Sequence, residues 1–185
     1  MSTTTTTLPA GVTTGTWTIE ASHSSASFTV RHAGISKTRG TIAITDGAIT
    51  IGEDLASSSV TATLDPATVD TRDANRDGHL KSADFFEVEA FPTWTFTSTA
   101  VEARGDEYVV VGDLTIHGVT KQVELEVEFN GAATDPFGNA RLGFSAKTEF
   151  SRKDFGLTWN AALETGGVLV SDKVKVSLEI EAIKA

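Results

Sequence analysis

The first stretch whose residue spacing could do chemistry is DANRDGHLKSAD, which runs from Asp73 to Asp84. Asp73, Asn75 and Asp77 stand at alternate positions and a glycine follows, as in the calcium loop of an EF-hand. The twelfth position holds Asp84 instead of a bidentate glutamate, and a strand-like stretch precedes the loop instead of a helix. We therefore interpret the segment as the start of a helix, where Asp and Asn cap backbone N–H groups.

Signatures of catalysis or of metal binding are weak elsewhere in the chain. The four histidines, His23, His32, His79 and His117, form no H-x-H or HExxH pair, although a site assembled from distant strands stays open. GFSAK around Ser145 lacks the second glycine of a nucleophile elbow. The chain has no cysteine and no GxGxxG or Walker loop. We therefore predict no catalytic residue, no metal and no cofactor.

The bulk properties indicate one globular domain. The chain has 185 residues and a formal net charge of −10, which argues against broad, charge-driven binding to nucleic acid or to anionic lipid surfaces. No apolar run is long enough to be a transmembrane segment. Residues 1–15 are interpreted as a flexible Thr-rich leader without the features of a signal peptide, so we expect a cytoplasmic protein. Residues 16–185 are predicted to form a single β-barrel domain.

Strict alternation of apolar and polar residues dominates the chain from residue 16 onward. It is clearest in the segments ASFTVRH, VTATL, WTFTST, KQVELEVEF, RLGFSAKTEF and VKVSLEIEA. This pattern predicts antiparallel strands with one buried face, and Asp46–Gly47 is typical of a hairpin turn. Only two regions could be helical: residues 66–90, as a short helical insert, and GEDLASS near Glu53, as a single turn. The chain is therefore all-β, a barrel or a sandwich. An eight-stranded barrel could hold one small ligand, or its apolar faces could simply pack together.

Several ordered segments resemble the YceI-like family. NRDGHLKSADFFEVEAFPTWTFTST is similar to the hallmark of that family, Arg-Asp-x-His-Leu followed by a Phe-Phe pair and an aromatic-proline step into a strand. WTIEASHSSASFTVRHAGISKTRG resembles its opening, VVGDLTIHGVTKQVELEV its central hairpin, SRKDFGLTWN its late turn and VLVSDKVKVSLEIEA its closing strand. The resemblance covers about residues 16–182.

The resemblance implies an extended antiparallel lipocalin-like β-barrel of about eight strands, with helices over one end. It also implies a long-chain amphiphilic lipid, a polyisoprenoid or an isoprenoid quinone, in an apolar tunnel, and no enzymatic activity. Many members of the family are periplasmic. Since no signal peptide is visible here, we expect a cytoplasmic carrier or store. Two alternatives remain open: a stress-response or interaction module with a side-chain-filled barrel, and a metal protein or enzyme that uses the scattered histidines.

Candidate ligand contacts follow from the alternation and from the resemblance together. The tunnel-lining candidates are Phe28, Val30, Ile42, Phe85, Phe86, Trp94, Phe96, Leu114, Phe144 and Phe150. The candidates for a lipid head group are His32, Arg76, His79 and Arg152, although each could equally form a structural salt bridge or cap. Edge strands and a polar outer face allow a homodimer without demanding one.

Overall fold

The computed structural model describes residues 7–164 and 166–185. It contains nine strands, β1 Gly15–Ile19, β2 Ser25–His32, β3 Ser36–Ile51, β4 Ser59–Asp70, β5 Trp94–Arg104, β6 Glu107–Ile116, β7 Val119–Thr134, β8 Ala140–Ser151 and β9 Val170–Lys184. One α-helix, α1, spans Ala74–Lys81, and short 3-10 helices span Ala21–His23 and Arg152–Phe155. Among the described residues, no helix is both long and apolar enough to span a membrane.

The strands form one antiparallel sheet that closes on itself. Strands β2 to β9 close an eight-stranded barrel, in which β2 pairs with β9 and the ring is completed between β3 and β4. The extra strand β1 pairs with the end of β3 and with the end of β9. Each of the alternating sequence segments lies within one barrel strand. The all-β barrel predicted from the sequence is therefore confirmed.

The prediction of a hairpin turn at Asp46–Gly47 is wrong. Both residues lie inside β3, where the pairing with β4 shifts register between Ile44 and Asp46. A Cβ on Gly47 would lie 2.7 Å from Ile19 Cδ1 and 3.0 Å from the Thr61 carbonyl oxygen. The glycine therefore permits the close approach of β1 to a bulged strand. Glycine serves this purpose in sheets as well as forming turns.

The helical insert begins later than residue 66, where the sequence pattern places it. Strand β4 continues to Asp70, and its residues 66–69 form a bulge, since Thr41 pairs with Asp70 while Ala43 pairs with Asp65. Side chains satisfy the freed backbone groups, since the Ala43 N–H donates to Thr68 Oγ1 at 2.8 Å and the Ala67 N–H to Asp65 Oδ1 at 3.0 Å. A proline without an N–H fits such a bulge, as Pro66 does here.

Two hydrophobic clusters occupy the two ends of the barrel. The insert end comprises the β2–β3 turn, residues 71–93, the β6–β7 turn and residues 152–169, and its cluster centres on Phe86, Phe155 and Ile116. The opposite end comprises the β3–β4, β5–β6 and β7–β8 turns and residues 7–14, and its cluster centres on Trp17 and Leu142.

Part of the predicted flexible leader packs against the opposite end. Residues 1–6 lie outside the described residues. Leu8 and Val12 pack against the cluster around Trp17, and the indole N–H of Trp17 donates to the Thr13 carbonyl oxygen at 3.0 Å. Residues 8–13 therefore form an ordered cover over this end. The two apolar residues after the threonine run are the sequence signal for this packing.

Candidate ligand-binding cavity

The barrel encloses a cavity of about 300 Å³. Its wall contains members of both hydrophobic clusters, including Phe86 from the insert end and Ile51 from the opposite end. The cavity therefore runs along the barrel axis. The wall is almost wholly apolar, and its polar side chains are Ser27, Ser58, Ser59, Tyr108, Thr148 and Arg152.

All of the tunnel-lining candidates face this cavity. The structure places on its wall Phe28, Val30, Ile42, Phe85, Phe86, Trp94, Phe96, Leu114, Phe144 and Phe150. Alternation locates the eight that lie on strands, because inward residues recur every second position along a strand, whereas Phe85 and Phe86 lie in the insert between α1 and β5. Contact of each with a ligand stays a prediction. The alternation did not indicate that Leu8, Pro9 and Val12 line the opposite end of the same cavity.

Two glycines make room for aromatic rings on the cavity wall. A Cβ on Gly40 would lie 2.4 Å from Phe28 Cζ, and a Cβ on Gly112 would lie 2.4 Å from Phe96 Cζ. Each ring therefore reaches over the glycine of a neighbouring strand and occupies the space that a side chain there would take. Placing the rings against the barrel wall in this way leaves space along the axis.

Trp94 brings a hydrogen-bond donor to the wall of the cavity. The residue is 8% exposed, and its Nε1–H has no hydrogen-bond partner among the described residues. Its ring meets Phe86 edge to face, with centroids 4.8 Å apart. A buried donor without a partner is costly, so a ligand with an acceptor oxygen near this indole would gain a hydrogen bond that the protein alone does not supply.

Among the described residues that line the cavity, Arg152 is the only one with a charged side chain. The residue is 4% exposed. Its Nη1 donates to the carbonyl oxygens of Leu157 at 2.7 Å and Trp159 at 2.8 Å, and its Nε donates to the Ser171 carbonyl oxygen at 2.9 Å. Burial lowers the pKa of the guanidinium, and the Asp172 carboxylate opposes this effect. Most of its donors therefore hold the loop between β8 and β9.

His79 and Arg152 converge on one residue that the sequence analysis did not single out, Trp159. The His79 ring meets the Trp159 ring edge to face at 4.7 Å and the Phe85 ring at 5.0 Å. His79 Nε2 also lies 2.9 Å from Asp84 Oδ2. The three rings form one aromatic cluster at the insert end. In this cluster the imidazole of His79 already has the Asp84 carboxylate as its partner.

Arg76 and its neighbour Asp77 bind the buried Thr71 instead of pointing into the cavity. Thr71 is 4% exposed. Arg76 Nε donates to Thr71 Oγ1 at 2.8 Å, and Arg76 Nη2 donates to the Thr71 carbonyl oxygen at 2.6 Å. Asp77 Oδ1 accepts from the Thr71 N–H at 2.9 Å and from Thr71 Oγ1 at 2.6 Å.

The calcium-like spacing has the origin that the sequence suggests. Asp73 is the N-cap of α1, and its carboxylate accepts from the backbone N–H groups of Asn75 and Arg76. These hydrogen bonds, first that of Arg76, lower the pKa of Asp73. The capping interpretation is therefore confirmed. The carboxylates of Asp73 and Asp77 both accept hydrogen bonds from other residues of the insert.

The remaining histidines lie apart from one another. His32 is exposed at the end of β2. His117 Nδ1 lies 3.3 Å from the Phe155 carbonyl oxygen, and its Nε2 lies 3.2 Å from Glu87 Oε2. Of the four head-group candidates, the structure thus brings together His79 and Arg152 and leaves His32 and Arg76 elsewhere.

One group of side chains of metal-ligating type assembles at the opposite end. Glu20, His23 and Glu181 each place a ligand-type atom within 4.8 Å of the others. Arg141 forms ion pairs with both glutamates of this group. Its hydrogen bond is the main reason why the pKa of Glu20 is lowered. The guanidinium thus supplies the positive charge that balances these carboxylates.

Comparison with known proteins decides the family. Residues 17–182 match the sequence model of the YceI-like domain. The chain belongs to the YceI-like family. Protein YceI of Salmonella arizonae is 38% identical to this YceI-like protein over 166 residues, which cover 89% of this chain and 84% of the relative.

Solved structures share the fold of this YceI-like protein. The YceI protein of Campylobacter jejuni is 30% identical, with a TM-score of 0.68 over 84% of this chain and 90% of that chain. BcnA of Burkholderia cenocepacia is 21% identical, with a TM-score of 0.74 over 88% and 98%. A polyisoprenoid binding domain from Saccharophagus degradans is 16% identical, with a TM-score of 0.67 over 91% and 98%. The last two likenesses concern the fold alone.

Proposed function

We propose that this YceI-like protein binds a long-chain amphiphilic lipid, a polyisoprenoid or an isoprenoid quinone, inside the barrel, and that it carries or stores this lipid. The observation that carries the proposal is the apolar cavity that runs between the two end clusters. The family membership supports it, as does the likeness to a domain described as polyisoprenoid binding.

Burial of apolar surface would drive this binding. Apolar surface that leaves water contributes roughly 25 cal/mol per Å². A prenyl chain that loses a few hundred Å² would retain enough of this energy for roughly micromolar affinity after the costs of association. Apolar walls discriminate poorly between chains of similar width. Selectivity therefore has to come from polar groups at defined depths.

Two polar groups on the wall would provide that selectivity. The indole N–H of Trp94, which has no hydrogen-bond partner among the described residues, favours a ligand with a carbonyl or hydroxyl oxygen. Arg152 adds positive charge at the insert end, although main-chain carbonyl oxygens occupy most of its donors. A quinone or a prenyl alcohol carries such an acceptor on a long apolar chain, whereas a pure hydrocarbon does not.

Native mass spectrometry of the purified protein, followed by organic extraction, tests the proposal. We expect a discrete hydrophobic adduct that denaturation releases, and uptake of an added isoprenoid quinone by protein stripped of lipid. A bare mass together with no uptake of prenyl lipids would contradict the proposal. That result would favour the alternative of an interaction module whose partners are proteins.

A charge on the cavity wall provides the matching variant. Phe144→Glu places a carboxylate against the apolar chain, so lipid uptake should fall at least tenfold because burying an unpaired charge is costly. Phe144→Leu keeps the wall apolar and should retain uptake. Thr61→Glu introduces the same charge on the outer, exposed face of β4 and should also retain it. Equal uptake by Phe144→Glu and by the wild type would place the lipid outside the cavity.

We also propose that the protein binds without catalysing a reaction, in the cytoplasm. The absence of charged wall residues other than Arg152, among the described residues, supports the first part. Cell fractionation tests the location. The homodimer that the sequence allows stays a prediction, which light scattering of the purified protein would test.

A further inference from the structure

The hairpin of β2 and β3 is positively charged in a strongly acidic protein. The formal net charge of the protein is −10, yet residues 21–45 contain no aspartate or glutamate. Arg31, Lys37 and Arg39 are exposed on the outer face of this hairpin. None of the ion pairs between described residues involves any of these three side chains. Negative charge is therefore concentrated elsewhere on the molecule.

The basic side chains of the hairpin stand next to one another. Arg31 lies directly opposite Lys37 in the pairing of β2 with β3. Thr29 has Arg39 as its partner on one side and Lys175 of β9 on the other. Like charges directly opposite one another destabilise a sheet. An external anionic surface would relieve this repulsion.

The turn of the same hairpin and the loop beside it each expose an apolar side chain. Ile35 is 87% exposed and Val168, in the loop before β9, is 50% exposed. A backbone hydrogen bond of 2.7 Å from Ala33 to Leu169 joins the turn to that loop. Left-handed backbone conformations at Ala33 and Gly34 make the turn tight. The hairpin therefore presents an aliphatic tip above a basic stem.

A second exposed apolar tip shows that charge distinguishes this one. Phe137, in the β7–β8 turn at the opposite end of the barrel, is 89% exposed. It lies beside Asp135, whose carboxylate accepts from the Phe137 N–H at 2.8 Å and is paired with Arg141. Phe137 is therefore flanked by an ion-paired carboxylate, whereas Ile35 is followed along its hairpin by basic side chains that form no ion pair with another described residue.

We propose that the β2–β3 hairpin docks this protein on an anionic lipid bilayer, with Ile35 entering the interface and Arg31, Lys37 and Arg39 contacting acidic head groups. Basic residues near such a surface are attracted to it, and apolar side chains that enter it add affinity. A protein partner would need a broad surface, usually with aromatic anchors, whereas the turn and the adjoining loop expose one aliphatic side chain each, Ile35 and Val168.

The docking surface goes beyond the proposed function and does not depend on it. Association with a bilayer requires the hairpin alone, whatever the cavity holds. The surface nevertheless adjoins the cavity, since Val30 and Val170 line the cavity wall at the same end. Net charge did not predict this surface, because an overall charge of −10 conceals a local excess of positive charge.

Co-sedimentation with vesicles tests the proposal directly. The full chain is mixed with vesicles of equimolar phosphatidylglycerol and phosphatidylcholine, or of phosphatidylcholine alone, at low and at high salt. We expect binding to the anionic vesicles at low salt and its loss at high salt. Lys37→Ser together with Arg39→Ser should weaken binding to the anionic vesicles at least tenfold, because it removes electrostatic attraction to the head groups. Ile35→Ser should weaken it about tenfold, because it removes the apolar side chain that enters the interface.

Phe137→Ser is the matched control, because it removes an equally exposed apolar side chain from the opposite end of the barrel, and it should leave vesicle binding unchanged. All of these positions are exposed, so thermal unfolding should confirm that each variant is folded. No binding to anionic vesicles, equal binding to neutral ones, or an equal loss in Phe137→Ser would overturn the proposal. Self-association without vesicle binding, seen by light scattering and abolished by Ile35→Ser, would also overturn the proposal. None of these results bears on lipid uptake by the cavity, which is measured separately.

Discussion

The contacts of Thr71 make a quantitative prediction about the role of the Arg-Asp pair in the insert. Thr71→Val keeps the shape of the side chain and removes its hydroxyl. The change deletes the hydrogen bond from Oγ1 to Asp77 at 2.6 Å and that from Arg76 Nε to Oγ1 at 2.8 Å. Hydrogen bonds to charged groups contribute roughly 1.5–3 kcal/mol each. Because Arg76 is exposed to solvent, we expect a total loss of about 2–3 kcal/mol in the free energy of unfolding.

Urea unfolding at about pH 7, with the linear extrapolation, measures this loss. The matched control is Thr97→Val, on the outer face of β5, whose hydroxyl has no partner among the described residues and which should change stability by less than about 0.5 kcal/mol. Lipid affinity of Thr71→Val should stay at the wild-type level. A variant that is as stable as the control but takes up less lipid would refute the reasoning and return Arg76 to the head-group candidates.

Three further predictions concern the insert, the β7–β8 turn and the cavity. Gly78→Ala should raise Tm, because Gly78 lies within α1, a Cβ there meets no other atom within 4 Å, and Ala in a helix is favoured over Gly by about 1 kcal/mol. A lower Tm would show that the glycine serves a contact outside the helix. The hydrogen bond from the Asn139 N–H, followed by that from Arg141, holds the pKa of Asp135 well below its usual range. The ionised carboxylate therefore stabilises the fold above the ordinary pKa of about 4, and this stabilisation is lost as pH falls toward the lower folded-state pKa. Asp135→Asn should accordingly reduce the urea midpoint more at about pH 7 than at about pH 3, and an equal reduction at both would exclude this linkage. Trp94→Phe should weaken binding of an isoprenoid quinone several-fold more than binding of a hydrocarbon of equal length, in a fluorescence or calorimetric titration. Equal effects on both ligands would assign Trp94 to packing alone.

The sequence by itself determined which residues form the barrel and which of their faces is buried. Period-two alternation assigns each side chain to one face of a strand, so the wall positions on the strands, such as Phe28 and Phe150, could be predicted without coordinates. The capping role of Asp73 was equally local, because an N-cap is defined by its own neighbours. The order of the family motifs further selected a lipocalin-like barrel over a sandwich.

Only the tertiary structure decided what depends on contacts between distant segments. Asp46–Gly47 reads locally as a turn, but both residues lie inside β3 and pair with Thr63 and Ala62 of β4. Arg76 reads as a head-group candidate, yet its partner is Thr71. An open cavity and a filled core share one alternation pattern, and the difference lies in where rings such as Phe28 and Phe96 lie against glycines on neighbouring strands. The volume left between side chains is a property of the whole closed sheet, and no local period encodes it.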